Sequence, residues 1–190
     1  MTQQQVALDA KTQAHLQAVL PRVIEAYRRD PASALARFKA DTRVVSGFET
    51  EVTGRGFQLT IDEPESLGGT NKGFNPVEVL LGTLGTCQEI VLVAYAAVLG
   101  IELEKVEIKV SGDIDLRGLF NVADVPSGFQ GIHFEADIQA SNATPEQLEQ
   151  LKALGLGHCP VLDTLQRPIP VTSPYRLTSR QSPERSARTA

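Results

Sequence analysis

The chain has 190 residues, 42% of them hydrophobic and 22% charged, with a formal net charge of −5. That length suits one domain with a sizeable core, with or without an appendage. The acidic balance, with no basic run interleaved with aromatic residues, argues against nucleic acid and against anionic membrane surfaces as partners. The opening residues, MTQQQVALDA, lack a basic n-region and an apolar h-region. No signal peptide is therefore expected, and the chain reads as cytoplasmic. In that compartment its two cysteines point to catalysis, redox chemistry or metal binding before a structural disulfide.

Residues 1–38 read as a helical appendage, with Val6, Leu8, Leu16, Val19, Leu20, Val23, Ile24 and Tyr27 at helical spacing. Pro21 should break or kink the run, and Asp30-Pro31 should cap a second short helix through Phe38. His15 reads as a solvated helix residue. From Lys39 the period switches to two. Thr42–Ser46, Phe48–Val52 and Phe57–Ile61 read as strands, with Thr53-Gly54-Arg55-Gly56 as a hairpin turn. Asp62 to Glu65 end the third strand, and a Gly-rich loop from Gly68 to Phe74 follows. A phosphate cradle is a natural thought for such a loop before a helix. It lacks the Gly-Lys-Ser/Thr ending of a P-loop and the spacing of a dinucleotide fingerprint, so a tight turn or mobile entrance fits it better.

The centre of the chain is NPVEVLLGTLGTCQEIVLVAYAAVLG, Asn75 to Gly100. Asn75 can cap, Pro76 suits the first helical position, Glu78 closes a capping box, and Gly100 supplies a left-handed stop. The spacing predicts a helix over Pro76–Leu99, about 36 Å long and apolar on nearly all sides, hence buried. Its length suits a membrane span, but Glu78, Glu89, Gln88 and the glycines argue against one. At about 100° per residue, Leu80, Thr83, Leu84, Ile90, Val91 and Ala94 share a face with Cys87. The opposite stripe carries Glu78, Gly82, Gly85, Glu89 and Ala96, and should meet a closely packed element or a partner's helix.

Beyond Gly100, Val106 to Leu116 alternate with charged residues, and Ile132 to Ala140 alternate again. They read as two long strands of an antiparallel sheet with one wet face. Thr144-Pro145-Glu146-Gln147 is a second capping box, opening a helix with Leu148 and Leu151 inward and an end at Gly155 and Gly157. Cys159 precedes Pro160, which suits the first position of a short helix, where the dipole favours thiolate. Pro168–Leu177 reads as a last strand, and residues 178–190 as a disordered tail.

Neither cysteine belongs to a C-x-x-C. A zinc site from Cys87, Cys159 and His158 lacks an evident fourth ligand, and a cysteine hydrolase with His158 as base lacks a local signature. Thiol redox remains: a thiolate attacks a peroxide, becomes sulfenic acid, and condenses with a second thiol. Both sulfurs must then meet in space, with Cys87 ionised by a cation from elsewhere. A buried, inert Cys87 is the plain alternative.

Several motifs now stand in order: Gly68-Gly69, Asn75-Pro76 with Glu78 and Cys87, Gly112-Asp113-Ile114-Asp115-Leu116-Arg117-Gly118, Gly128-Phe129-Gln130-Gly131-Ile132, and His158-Cys159-Pro160-Val161. Together they resemble the OsmC/Ohr family of osmotically inducible and organic hydroperoxide resistance proteins, in its OsmC-like branch, over about residues 42–177. The resemblance implies an α+β fold over residues 39–177, with antiparallel sheets wrapped around long central helices in an intertwined homodimer. It implies reduction of hydroperoxides, Cys87 peroxidatic and Cys159 resolving through an intramolecular disulfide. The reductant it implies is a dithiol, such as a lipoyl group, with no bound cofactor or metal. The family's carboxylate directly after Asn-Pro is Val77 here, with Glu78 one place later and facing away from Cys87. Glu78 would then serve as a cap or across a dimer interface. For the family's strand-borne arginine the candidates are Arg43 and, in a turn, Arg55, with Arg43 preferred. The alternative on the same fold is a binding or structural protein that has lost peroxidase chemistry.

Overall fold

The computed structural model describes residues 10–179. Helix α1 (Ala10–Arg29) and a 3-10 turn (Pro31–Ala34) lead into strands β1 (Asp41–Ser46), β2 (Glu49–Gly54) and β3 (Phe57–Ile61). Then come helix α2 (Pro76–Leu99), strand β4 (Leu103–Ile114), the single turn α3 (Leu116–Leu119) and strand β5 (Phe129–Ala140). Helices α4 (Pro145–His158) and α5 (Pro160–Gln166) follow. Strands β1-β2-β3 form one antiparallel sheet, and β4 pairs antiparallel with β5 in a second. The architecture is α+β, as expected.

Helix α2 has the bounds its sequence dictates. Asn75 Oδ1 accepts from the Glu78 amide at 2.8 Å, Glu78 Oε2 accepts from the Asn75 amide at 2.9 Å, and Gly100 ends the helix at φ 72°. Among the described residues it is the one helix long and apolar enough to cross a membrane. It is the central helix of the fold: α1, α4, α5 and β4 all pack on it. Leu92 and Ala96 join Ile101, Leu103 and Leu151 in one buried cluster. Gly85 meets Val110 Cγ2 and Ile108 Cγ2 of β4 with no room to spare, so the small-residue stripe lies against the sheet at that point. The expectation of burial on all sides does not hold for one chain. Val77, Leu80 and Val98 stay exposed and Ile90 is 69% exposed, because these elements cover only part of the helix.

Gln88 lies in the seam between α2 and α4, 2% exposed, with its Nε2 lacking any partner. A buried unpaired amide costs free energy. Gln88→Leu is therefore expected to raise stability by about 1–2 kcal/mol, read as a Tm rise of roughly 2–8 °C.

The N-terminal and C-terminal readings need correction. Helix α1 runs through Pro21 unbroken. Pro21 sits on the exposed side, while Leu16, Leu20, Val23 and Ile24 are half-buried, and Gln13 donates to the Ile101 carbonyl at 3.1 Å. Tertiary packing outweighs the lost hydrogen bond. Val6 and Leu8 lie outside the described residues. Asp30 does cap the next turn, but that turn stops at Ala34, and Leu35 and Phe38 are exposed. His15 is exposed. Helix α4 passes both Gly155 and Gly157 to end at His158. At Gly155 a side chain would collide with Leu92, so this glycine serves close helix packing instead of a stop. Residues 168–177 form no strand. Pro168, Pro170 and Pro174 donate no hydrogen bonds, and among the described residues no strand pairs with this segment. The disordered-tail expectation falls mostly on residues 180–190, outside the described ones.

The loop before α2 is organised by Asp62, which the sequence marks only as the end of the third strand. Asp62 is 1% exposed and accepts from the amides of Glu63 (2.9 Å), Thr70 (2.9 Å) and Lys72 (3.2 Å) and from the Thr70 hydroxyl (2.6 Å). Two of the loop amides a phosphate would want are thus taken by a carboxylate of the chain itself. Gly69 and Gly73 press on the backbones of Glu63 and Thr60, leaving no space for a side chain.

Candidate active site

Cys87 lies mid-way along α2, half-buried, on the face the helical spacing assigned to it. Leu84 and Val91 flank it on the same face. Cys159 sits at the junction of α4 and α5 and is 1% exposed. It is the N-cap of α5: its Sγ accepts from the Leu162 amide at 3.4 Å. Pro160 at the first position has no N–H to leave unpaired. Leu84, Cys159 and Leu162 form a buried cluster, with Cys87, Val91, Val110, Ile132, Phe134 and Val161 packed on it. The two cysteines, remote in sequence, are brought into contact, and both are free thiols.

The electrostatics around Cys87 follow from its neighbours. Burial pushes its thiol above the ordinary value, as charge is costly among aliphatic groups. The Val161 amide, directed at the sulfur, pulls the other way, and hydrogen bonding to Cys159 adds to the rise. The first two amides of α5 therefore address the two sulfurs, Val161 toward Cys87 and Leu162 toward Cys159. The Cys159-Pro160 pair signalled the cap in sequence; nothing signalled that Val161 would reach α2.

The other site candidates lie elsewhere within one chain. Arg43 is on exposed β1, where its Nε and Nη2 each approach Glu51 Oε1 at 3.0 Å across the strand pair. Arg55 is in the β2–β3 turn at φ 52°, its guanidinium 5.8 Å from the Phe57 ring centroid. Neither supplies a cation to Cys87 of its own chain. The β1–β3 sheet stands off the body and bridges to it where Ile61 pairs with Phe74. Glu78 is held in the capping box and lines a groove of ≈ 400 Å³ between α2 and β4, on the side of the helix away from Cys87. The His158 ring lies against Tyr95, with centroids 5.4 Å apart. Tyr95 is about 12 Å along α2 from Cys87, and the groups acting on the Cys87 thiol are Val161 and Cys159, with His158 not among them. Among the described residues no three His, Cys, Asp or Glu side chains converge as a metal site.

A cleft of ≈ 620 Å³ opens beside the pair. Val77, Leu80 and Leu84 of α2 form one wall, Phe129, Ile132 and Phe134 of β5 another, and Leu162 and Leu165 of α5 a third. No charged side chain lines it. Leu84 and Leu162 belong both to the cleft and to the packing around Cys159.

The fold and the site define a class: an α+β protein with a long central helix that presents one thiol to another at the cap of a short helix. The sequence profile of the OsmC-like protein family matches residues 69–173, and the chain belongs to that family. Among solved structures it is similar to an OsmC-like protein from Mycoplasma pneumoniae, with TM-score 0.58 and 22% identity over 69% of this chain and 88% of that one. A putative osmotic stress induced and detoxification response protein from Psychrobacter arcticus matches with TM-score 0.55 and 14% identity, over 68% and 89%. An organic hydroperoxide resistance protein OsmC from Legionella pneumophila, described as a predicted redox protein, matches with TM-score 0.50 and 21% identity, over 70% and 92%. At these identities the likeness carries the fold. No curated protein sequence matches the chain.

Proposed function

We propose that the protein is a thiol-dependent peroxidase that reduces organic hydroperoxides in the cytoplasm. Cys87 is the attacking thiol and Cys159 the resolving one. The contact between the two cysteines carries this reading: a sulfenic acid on Cys87 would have its resolving partner beside it. The uncharged cleft suits the organic group of a hydroperoxide better than hydrogen peroxide alone. The reductant is a small dithiol, such as a lipoyl group, and no cofactor is needed, since both electrons come from the sulfurs.

The active unit is a homodimer. Val44, Val45, Phe48 and Phe57 on the projecting β1–β3 sheet, and Ile90 on α2, are exposed in one chain, as large apolar side chains at an interface between copies would be. A second copy would cover these residues. Its β1 would also bring Arg43 to Cys87, supplying the cation that one chain lacks. Across the same interface Glu78 of one copy would meet the thiol of the other; within its own chain it is a cap. Arg43→Met should lower peroxidase turnover by about 10²-fold and raise the alkylation midpoint of Cys87, while Tm changes little because its ion pair with Glu51 is exposed.

The deciding experiment is consumption of cumene hydroperoxide by the purified chain with dihydrolipoamide or dithiothreitol. Stoichiometric loss of peroxide with turnover supports the reading; none from a dimeric, fully reduced sample overturns it. A second reading, a non-catalytic binding protein on the same fold, is favoured by Val77 in the carboxylate position and by the raised Cys87 thiol. In that case alkylation of Cys87 would titrate near or above pH 8.5 in the dimer; catalysis needs a midpoint below about 7.

A further inference from the structure

The Leu162 amide has the Cys159 sulfur as its acceptor, and the Val161 amide is directed at the Cys87 sulfur. These are the two atoms that the proposed chemistry joins. A hydroperoxide ROOH oxidises the Cys87 thiolate: sulfur bonds to the terminal oxygen, the O–O bond breaks, and ROH leaves with a proton. The Cys159 sulfur then bonds to the Cys87 sulfur, and the hydroxyl departs as water with the thiol proton. Two thiols and ROOH become a disulfide, ROH and H2O. The new bond is about 2.05 Å long, far inside a hydrogen-bonded separation, so Cys159 is drawn toward α2. A divalent disulfide sulfur is also a weaker acceptor than a thiolate. The helix cap and the second amide contact are weakened by one event.

Beyond these amides, helix α5 is held by Leu162 and the half-buried Val161, which pack around Cys159. It is seven residues long, and the segment after it, residues 167–179, is exposed throughout. Leu162 is its one buried residue. Yet α5 covers a sulfur that is 1% exposed. In the reduced state a dithiol reductant has no approach to Cys159.

We propose that α5 is a redox-released lid: disulfide formation uncaps it, and its loosening exposes the Cys159 sulfur and the cleft wall at Leu162 and Leu165. This inference rests on the peroxidase reading, since it needs the Cys87–Cys159 disulfide. The reduced chain would then shield the resolving thiol from stray oxidants, and only the oxidised chain would admit the reductant.

Amide hydrogen exchange on the full chain tests it, reduced and after one equivalent of cumene hydroperoxide, with the disulfide scored by mass. Exchange at Leu162 should quicken about five- to tenfold on oxidation, as for loss of one helix cap. Exchange at Leu151, in the core of α4, should not change. Cys159→Ser keeps a good cap without redox chemistry, so its Leu162 amide should stay slow with or without peroxide. A disulfide that forms while Leu162 exchange is unchanged overturns the lid and leaves the peroxidase reading standing. The same quickening in Cys159→Ser also overturns the lid. If no disulfide forms, both readings fall together.

Discussion

Cys87→Ser will lose peroxidase turnover by on the order of 10³-fold or more. A serine hydroxyl at this site is neither ionised nor oxidised by a hydroperoxide, so no slower version of the same route remains. The substitution removes little from the fold, because Cys87 is half-buried and only borders the cluster of Leu84, Cys159 and Leu162. Thermal unfolding should stay within a few degrees of the parent. Cys159→Ser has a different signature. One equivalent of peroxide should still be consumed, leaving a sulfenic acid on Cys87 that a dimedone-type reagent traps, and the intramolecular disulfide should not form. If Cys87→Ser matches the parent in turnover, the assignment of the attacking sulfur is wrong.

Asp62→Asn should produce the largest loss of stability away from the sulfurs. The carboxylate accepts four hydrogen bonds, three from backbone amides and one from the Thr70 hydroxyl. An asparagine offers one oxygen and turns an NH2 toward donors, so at least one buried N–H loses its acceptor. A Tm fall of roughly 5–10 °C is expected, with the loop from Glu63 to Phe74 opening first. The pH dependence has a definite sign. The Thr70 hydroxyl bond, helped by the backbone amides, holds the Asp62 carboxyl down at about 2 against an ordinary 3.8. A depressed carboxyl stabilises the fold above its unfolded value. That contribution is complete above about pH 5 and is lost as pH falls through 3.8 toward 2. The parent should show this loss between pH 5 and 2, and Asp62→Asn should lack that component of it. Equal acid curves for the two would place the loop's stability elsewhere.

What could be read in advance, and what could not, divides along the range of the interactions. Helix α2 was legible to the residue because its limits are local: Asn75, Pro76, Glu78 and Gly100 each act within one turn. The capping box at Thr144 and the cap at Cys159 were legible for the same reason. The alternation of β4 and β5 gave both strands, though each begins earlier than the alternating run: Leu103 and Phe129 open them. Long-range decisions were hidden. Gly155 looks like a helix stop until Leu92 is seen against it. Pro21 looks like a break until the half-buried stripe of α1 is seen packed on the core. Asp62 looks like a turn residue, since its partners Thr70 and Lys72 lie across a loop whose path the sequence does not reveal. The meeting of Cys87 with Cys159 came from the family motifs; no local spacing implied it. The cation for Cys87 stayed illegible because Arg43 and Arg55 belong to a sheet that one chain leaves apart from its own thiol.

The prolines of the C-terminal segment have a consequence of their own. An extended chain directs its N–H groups alternately to left and right. Between residues 168 and 177, Pro168, Pro170 and Pro174 all fall on the same side, while Ile169, Val171, Ser173, Tyr175 and Leu177 keep their donors on the other. Such a ribbon can zip along one neighbour and then offers a largely donor-free flank to the next molecule. The exposed apolar side chains of this segment therefore do not seed the endless stacking that ends in fibrils.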